Sequence, residues 1–385
     1  MVYLAWITVI LWGLVLIDTW IGFRRFPKLD SFRETVLSPA DRSGRVSVIV
    51  AARNEEDAIY ESVKSQLTST WPGVEWILVN DRSTDATGEK MDELARQDSR
   101  IRVVHVRDLP EGWLGKNHAM HCGYEEATGS ALLFTDADVM FRPHTIEGAM
   151  ACKKTTGARH VTMTPEMTVK TFWTQAFVHF FLFGFSYYKR PWKANDDRSK
   201  IALGIGAFNL IDREAYEAIG THRAIRLRPD DDLMLGVRVK AAGMRQRAID
   251  GTGGLSVEWY PSLKEAVKGL EKNTFAGLHY SWLMVLFALS GVFVSQVLPF
   301  IGVLFHEGSA RWVYLAAVVL MLIIYVKTSF APWKKALKTF TVFPLSALIF
   351  IYTLIRAVLK TVIRGGIEWR GTFYSLKELK KQRNL

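Results

Sequence analysis

Residues 131–140 read Ala131-Leu132-Leu133-Phe134-Thr135-Asp136-Ala137-Asp138-Val139-Met140. An apolar run stops abruptly at two carboxylates. Such a run predicts a strand buried on both faces, as in a parallel sheet covered by helices. Acids at its carboxyl end stand where open α/β sheets place their ligands. Two carboxylates one residue apart can face a hard divalent cation and the phosphates it carries. Taken alone, the same three residues also fit a solvated Asp-rich turn.

The flanking sequence supplies a sheet for that strand. Residues 46–52, Val-Ser-Val-Ile-Val-Ala-Ala, and 74–80, Val-Glu-Trp-Ile-Leu-Val-Asn, read as buried strands, and 101–106 as a third. Helical spacing predicts helices over 55–67, 85–96 (capped near Ser83 or Thr84) and 117–127. The β-α-β-α order predicts an α/β fold with a mainly parallel sheet and helices on both faces.

Outside this region the chain reads as membrane protein. Leu4 to Phe23 is apolar apart from Asp18, and Leu283 to Phe305 apart from Gln296, with a kink expected at Pro299. Both reach the roughly 20 residues a span needs; Trp312 to Val326 and Phe340 to Ile355 are shorter. The first run lacks a basic n-region and a cleavage site, so it reads as an uncleaved anchor. Arg24 and Arg25 follow it, which places the next segment in the cytoplasm. Three spans after a cytoplasmic domain would leave the basic tail outside. Either one short run lies in the interface or re-enters, or the tail is outside despite its charge. Residues 168–192 carry Phe172, Trp173, Phe177, Phe180, Phe181, Phe185 and Tyr188 at helical spacing beside Lys189 and Arg190. That pattern fits a helix in the headgroup region or a buried core helix.

The formal net charge is +11. The excess gathers near the apolar runs, at Lys327, Lys334, Lys335 and Lys338, and in the tail. Attraction to the anionic bilayer surface explains it better than nucleic acid, for which no aromatic–basic module is visible. Cys122 and Cys152 are the only cysteines. They make no disulfide framework and suit a reducing compartment.

Four polar clusters follow strands or open a helix: Ala52-Arg53-Asn54-Glu55-Glu56, Asn80-Asp81-Arg82-Ser83-Thr84-Asp85, Asp136-Ala137-Asp138 and Asp230-Asp231-Asp232. Acids gathered at one sheet edge repel unless a cation or donor partners them. With Gly115-Lys116, Gly204-Ile205-Gly206 and Asp232-Leu233-Met234-Leu235-Gly236, these clusters resemble the family 2 glycosyltransferases over residues 45 to about 280. Among these the chain is most similar to membrane enzymes that glycosylate lipids, such as ceramide glucosyltransferases and bacterial hopanoid- or carotenoid-associated enzymes. The ending Trp369-Arg-Gly371-Thr-Phe-Tyr374 is similar to one found in the bacterial group.

The resemblance implies a GT-A-type α/β domain with transmembrane and interfacial helices, taking a nucleotide sugar, with UDP expected, and a membrane lipid acceptor. The implied divisions are an anchor (1–23), a linker (24–44), a cytoplasmic catalytic domain (45–262), an amphipathic helix (263–282), membrane helices (283–360) and a basic tail (361–385). Ala52, Arg53 and Glu55 would hold base and ribose, Asp81 the uracil ring, and Lys116 the phosphates. Asp138 would bind Mg²⁺ or Mn²⁺, with Asp136 on the ribose or the metal. Gly204 and Gly206 would let backbone approach the donor sugar; a tight turn fits them equally. Asp232 would be the general base, with Asp231 the other candidate. A single base and no enzyme nucleophile imply direct displacement with inversion.

One departure stands out. Relatives carry Gln-x-x-Arg-Trp on a later amphipathic helix, where this chain has Lys268-Gly-Leu-Glu271-Lys272-Asn273. Lys272 would take the arginine's place on the diphosphate, or snorkel at the interface. The missing Trp weighs against a processive polysaccharide synthase. A transferase using polyprenyl phosphate also fits the pattern, and a non-catalytic membrane scaffold would share its fold.

Overall fold

The computed structural model describes residues 2–35, 37–369 and 372–377, with the side chains at 272, 273, 276, 367–369 and 372 left aside. The chain divides into two compact units.

The first unit comprises residues 25–168 and 191–258. Its strands are β1 (Val46–Ala52), β2 (Val74–Asp81), β3 (Ile101–Val106), β4 (Ala131–Asp136), β5 (Val139–Phe141), β6 (His160–Thr164), β7 (Glu166–Thr168), β8 (Asn209–Asp212), β9 (Gln246–Asp250) and β10 (Leu255–Glu258). Seven form one sheet in the order β3-β2-β1-β4-β8-β6-β9. All neighbours pair in parallel except β8, which runs antiparallel to β4 and β6. Every residue of β1 is buried. That is why its sequence does not alternate: one face packs Val46, Val48 and Val50 with Trp76 and Leu78, the other Ile49 with Ile77 and Val79. The strand order reverses direction of winding between β1 and β4, so the carboxyl ends of β1, β2 and β4 converge where such sheets open a crevice.

Two predicted helix starts shift. The first helix begins at Ile59 and not at 55, and the second at Thr87. The cause is a lacing between the loops after β1 and β2. The amides of Glu55 and Glu56 donate to Thr87 Oγ1 (2.8 Å) and Asp85 Oδ2 (3.3 Å), and Thr84 N–H donates to Asn54 Oδ1 (2.8 Å). These residues bind across to a neighbouring loop, which holds them out of helical geometry. Neither Ser83 nor Thr84 caps the second helix: Ala86 stands at the cap position without a side-chain bond, and Asp85 before it accepts from Thr87 N–H.

The second unit comprises residues 1–24, 169–190 and 259–385. Four helical stretches are long and apolar enough to cross a membrane: Val2–Phe23, Trp282–Phe305, Ser309–Thr328 and Phe343–Arg364. Both of the shorter apolar runs thus lie on helices that recruit flanking polar residues, such as Arg311 and Lys327, to reach 20 and 22 residues. The helix Phe172–Lys189 carries Phe180 and Phe183, buried against Trp12, Tyr325 and Phe343. Asp18 is engaged by Arg190 through both carboxylate oxygens, at 2.8 and 2.6 Å. The kink expected at Pro299 falls one turn earlier, as a π-helical segment Phe293–Val297. Proline has no N–H for the carbonyl of Ser295, and Trp12 Nε1–H donates to that oxygen instead, at 2.9 Å. The tail begins as a hairpin of Gly366–Trp369 and Thr372–Ser375; its last eight residues lie outside those described.

Candidate active site

Ten of the eleven predicted site residues fall in the first unit, at or near the carboxyl edge of its sheet. Ala52 ends β1 and is buried. Arg53 and Glu55 follow on the laced loop, where Asn54 takes a positive φ of 55°. Asp81 ends β2 with 3% of its surface exposed, and Arg82 Nε–H donates to its Oδ1 at 2.7 Å. Gly115 opens the helix Gly115–Glu126 against that carboxylate: a Cβ there would stand 2.6 Å from Asp81 Oδ2. The absence of a side chain lets this helix start close to the end of β2, which brings Lys116 into the cleft.

Lys116 joins two of the clusters. Its Nζ lies 2.8 Å from Asp136 Oδ1 and 3.7 Å from Asp231 Oδ2. Burial opposes its charge, but Asp136, Asp231 and Asp232 outweigh that and hold it protonated. Asp138 is pushed up to about 7 by burial and by Asp136 and Glu55 beside it. The crevice therefore holds more negative charge than its lysine offsets. Hard oxygen donors in excess of local cations fit Mg²⁺ or Mn²⁺. Among the described residues no group of three His, Cys, Asp or Glu side chains is arranged to hold a metal by itself. Two carboxylates with the diphosphate of a nucleotide would supply a donor set of the right kind.

Three consecutive acids look interchangeable in sequence, and the structure separates them. Asp230 is paired with Arg228 through both oxygens, at 2.9 and 2.7 Å. Asp231 is buried, 4% exposed, and faces Lys116. Burial pushes it up to about 7 against the pull of Lys116. Asp232 is half-buried, and its oxygens accept from the amides of Gly206 (2.8 Å) and Leu233 (2.7 Å). Burial, against Lys116, raises it too.

One residue links the two halves of the site. Gly206 N–H donates to Asp232 Oδ2, and Gly206 C=O accepts from Asp136 N–H at 3.0 Å. The loop before β8 is thus threaded between the acids, and at Gly204 a side chain has no room. A Cβ on Gly204 would meet the carbonyl oxygen of Asp232 at 1.7 Å, and one on Gly206 would meet Asp136 Oδ2 at 2.5 Å.

The loop is fixed from behind by buried polar groups. Gln246 binds both the amide and the carbonyl of Leu203, at 2.9 and 2.6 Å, and Thr162 Oγ1 accepts from Ile205 N–H. Gln246 also donates to His160 Nδ1 at 2.7 Å, and His160 Nε2–H donates to Asn209 Oδ1 at 3.0 Å. Asn117, on the Lys116 helix, donates to the carbonyls of Ile225 and Arg228 at 2.8 and 2.9 Å, which fixes the approach to Asp231.

Sequence reading misses these supports, along with His222 and Tyr216. They stand apart in sequence from the acids they serve and carry no local motif. Lys272 is on the helix Leu263–Gly277 of the other unit, and its side chain lies outside those described.

The family model Glycosyl transferase family 2 matches residues 47–220. The probable glycosyltransferase YdaM of Bacillus subtilis (strain 168) is 33% identical over 96 residues, 24% of this chain and 23% of its own. The uncharacterized glycosyltransferase EpsJ of the same organism is 38% identical over 93 residues, 24% and 26% respectively. The chain spans about a quarter of the length of these curated relatives. Among solved structures, the mannosyltransferase PcManGT from Pyrobaculum calidifontis, in complex with GDP-Man and Mn²⁺, superposes with a TM-score of 0.53 at 16% identity, covering 93% of this chain and 99% of that one. The likeness is one of fold, a GT-A-type α/β domain accompanied by apolar helices.

Proposed function

This chain carries a glycosyl transferase family 2 domain over residues 47–220, and on that premise we propose that it is an inverting, metal-dependent glycosyltransferase moving a sugar from a nucleotide-sugar donor to a membrane lipid. One observation carries the reading: a single residue, Gly206, ties Asp136 beside Lys116 to Asp232 in the first turn of the helix Asp231–Ala241. Diphosphate chemistry and proton removal are thereby brought to one cleft.

In this reading Ala52, Arg53 and Glu55 hold base and ribose, and Asp81 the base edge. Asp138 and Asp136 hold the metal, which when bound neutralises charge developing on the departing diphosphate. Lys116 turns from Asp136 toward the phosphates. The acceptor hydroxyl oxygen attacks the anomeric carbon as the bond to the diphosphate breaks. Its proton passes to Asp232, and the nucleoside diphosphate leaves. Asp232 suits the task better than Asp231 because it is the more exposed of the two and is aimed by Gly206. A lipid acceptor is supported by four helices long enough to cross a bilayer. The same helices support a membrane location, and Arg24 and Arg25 favour a domain facing the cytoplasm. The donor expected from the sequence resemblance is UDP-linked.

The test is transfer by the detergent-purified protein from UDP- and GDP-linked sugars to a lipid extract, with and without Mn²⁺. One sugar added with inverted configuration is expected, with turnover abolished in Asp232→Asn and lost with metal dependence in Asp138→Ala. Full activity in Asp232→Asn would remove the base assignment. A ladder of products would point to polymer synthesis.

A further inference from the structure

His222 is fully buried, and the chemistry proposed above does not use it. Its environment defines its protonation. Tyr216 Oη accepts from the backbone N–H of His222 at 3.0 Å and lies 2.6 Å from His222 Nδ1. With the backbone donating to it, the tyrosine hydroxyl directs its own proton to Nδ1. A proton on Nε2 suits both neighbours of the ring, the hydroxyl donating to Nδ1 and the Asp231 carboxylate facing Nε2, and this is the tautomer assigned to it. Burial and nearby Lys116 push the ring down to about 3, so it is neutral. Phe134 packs edge-on against the ring and fixes its plane.

Among the described residues Nε2 has no hydrogen-bond partner, although it is buried. It stands 4.0 Å from Asp231 Oδ2, the same oxygen that faces Lys116 at 3.7 Å. A buried N–H held about 1 Å short of a carboxylate is costly to leave unmade. The arrangement makes sense in the loaded state. When a diphosphate draws Lys116 away, the buried Oδ2 of Asp231 is left without its lysine partner. A closure of about 1 Å then brings Nε2–H within hydrogen-bond range.

We propose that His222 is a positioning residue that takes over Asp231 from Lys116 when donor binds, holding that acid in place so that its neighbour Asp232 stays aimed as the base. Tyr216 enforces the tautomer this requires. The proposal rests on the glycosyl-transfer reading for its consequence, though not for its geometry.

The experiment uses the full-length protein in detergent and has two arms. In the first, transfer kinetics are measured for wild type, His222→Gln, whose amide N–H reaches the place of Nε2, and His222→Leu. The expected result for His222→Leu is a kcat about 10- to 100-fold lower, the range typical of groups that orient a reacting one, with KM for donor within about twofold. His222→Gln recovers most of that loss. Wild-type kcat in His222→Leu overturns the proposal. So does an equal loss in both variants accompanied by an equal fall in melting temperature, which would mean packing alone. In the second arm, ¹⁵N-histidine spectra are recorded without transfer. His222 is expected protonated at Nε2, its resonance moving on addition of UDP with Mn²⁺ and losing its tautomeric preference in Tyr216→Phe. A proton on Nδ1 overturns the proposal. Wild-type protein inactive with every donor would defeat the glycosyl-transfer reading while leaving the spectra as an independent test.

Discussion

Replacing Gly204 by alanine tests the threading of the loop between the acids. The new methyl would stand 1.7 Å from the carbonyl oxygen of Asp232, where real contacts essentially never fall under 3.0 Å. One of the two backbones must therefore move by about 1.3 Å. The loop is the stiffer partner. Leu203 is held at both its amide and its carbonyl by Gln246, and Ile205 by Thr162. The displacement consequently falls on Asp232, at the first turn of its helix. A misplacement of about 1 Å at a reacting group can cost roughly 100-fold in rate. Initial rates of transfer for Gly204→Ala are expected to drop by about that factor. Nucleotide binding, read as stabilisation by UDP with Mn²⁺, should survive, because Asp81 and Lys116 sit on other elements. Gly206→Ala makes the contrast. Its methyl would meet only the end of the Asp136 side chain, at 2.5 Å, which can swing aside. Its expected effect is a higher Mn²⁺ requirement with most of the saturating rate retained. A folded Gly204→Ala protein with wild-type kcat would refute the reasoning.

Other substitutions probe the supports. His160 is buried and neutral, accepting from Gln246 at Nδ1, and burial pushes it down to about 4 from an ordinary 6.5. The unfolded chain binds this proton first, so stability falls as pH drops from about 6.5 towards 4, by about 3 kcal/mol over the window. The pH slope of the melting temperature should be shallower in His160→Gln, and an unchanged slope would sink this account. Asn117→Ala takes its donor from the carbonyl of Arg228, at a cost of about 1–3 kcal/mol, while that of Ile225 keeps the Arg228 N–H. Its melting temperature should fall by several degrees and its rate should fall more than its donor affinity. Trp12→Phe strands the Ser295 carbonyl at a similar cost. Adding Pro299→Ala should recover part of the lost melting temperature, since an amide at 299 can close the helix again; no recovery would contradict the role given to Trp12.

How far the sequence led depends on the range of the interactions. Strands β1 to β4 were legible because burial on both faces writes itself into consecutive residues. The apolar helices were legible for the same reason. Helix starts near Ile59 and Thr87 were not, because the residues ahead of them bind across to each other's loops. The acids of the site could be named, since each follows a strand or opens a helix. Their division of labour could not. Asp230, Asp231 and Asp232 are told apart by Arg228, Lys116 and Gly206, of which only Arg228 is near in sequence. His222 and Gln246 carry no motif at all, and their purpose comes from the groups they meet in space.

The bond from Trp12 to Ser295 also bears on how the chain is made. The first helix can meet Phe183 and Tyr187 as soon as they are made, but its other packing partners, among them Met321 and Phe343, leave the ribosome only after some 300 further residues. Until then Trp12 lacks the Ser295 carbonyl to which it donates, and the helix waits with only part of its packing in place. Its mean apolar character allows that wait, and Asp18 is the one residue that makes it uncomfortable until Arg190 is translated. Closure of the helical unit is thereby among the last events of synthesis, and a chain truncated before residue 295 would lack both the acceptor of Trp12 and the later half of the packing around its first helix.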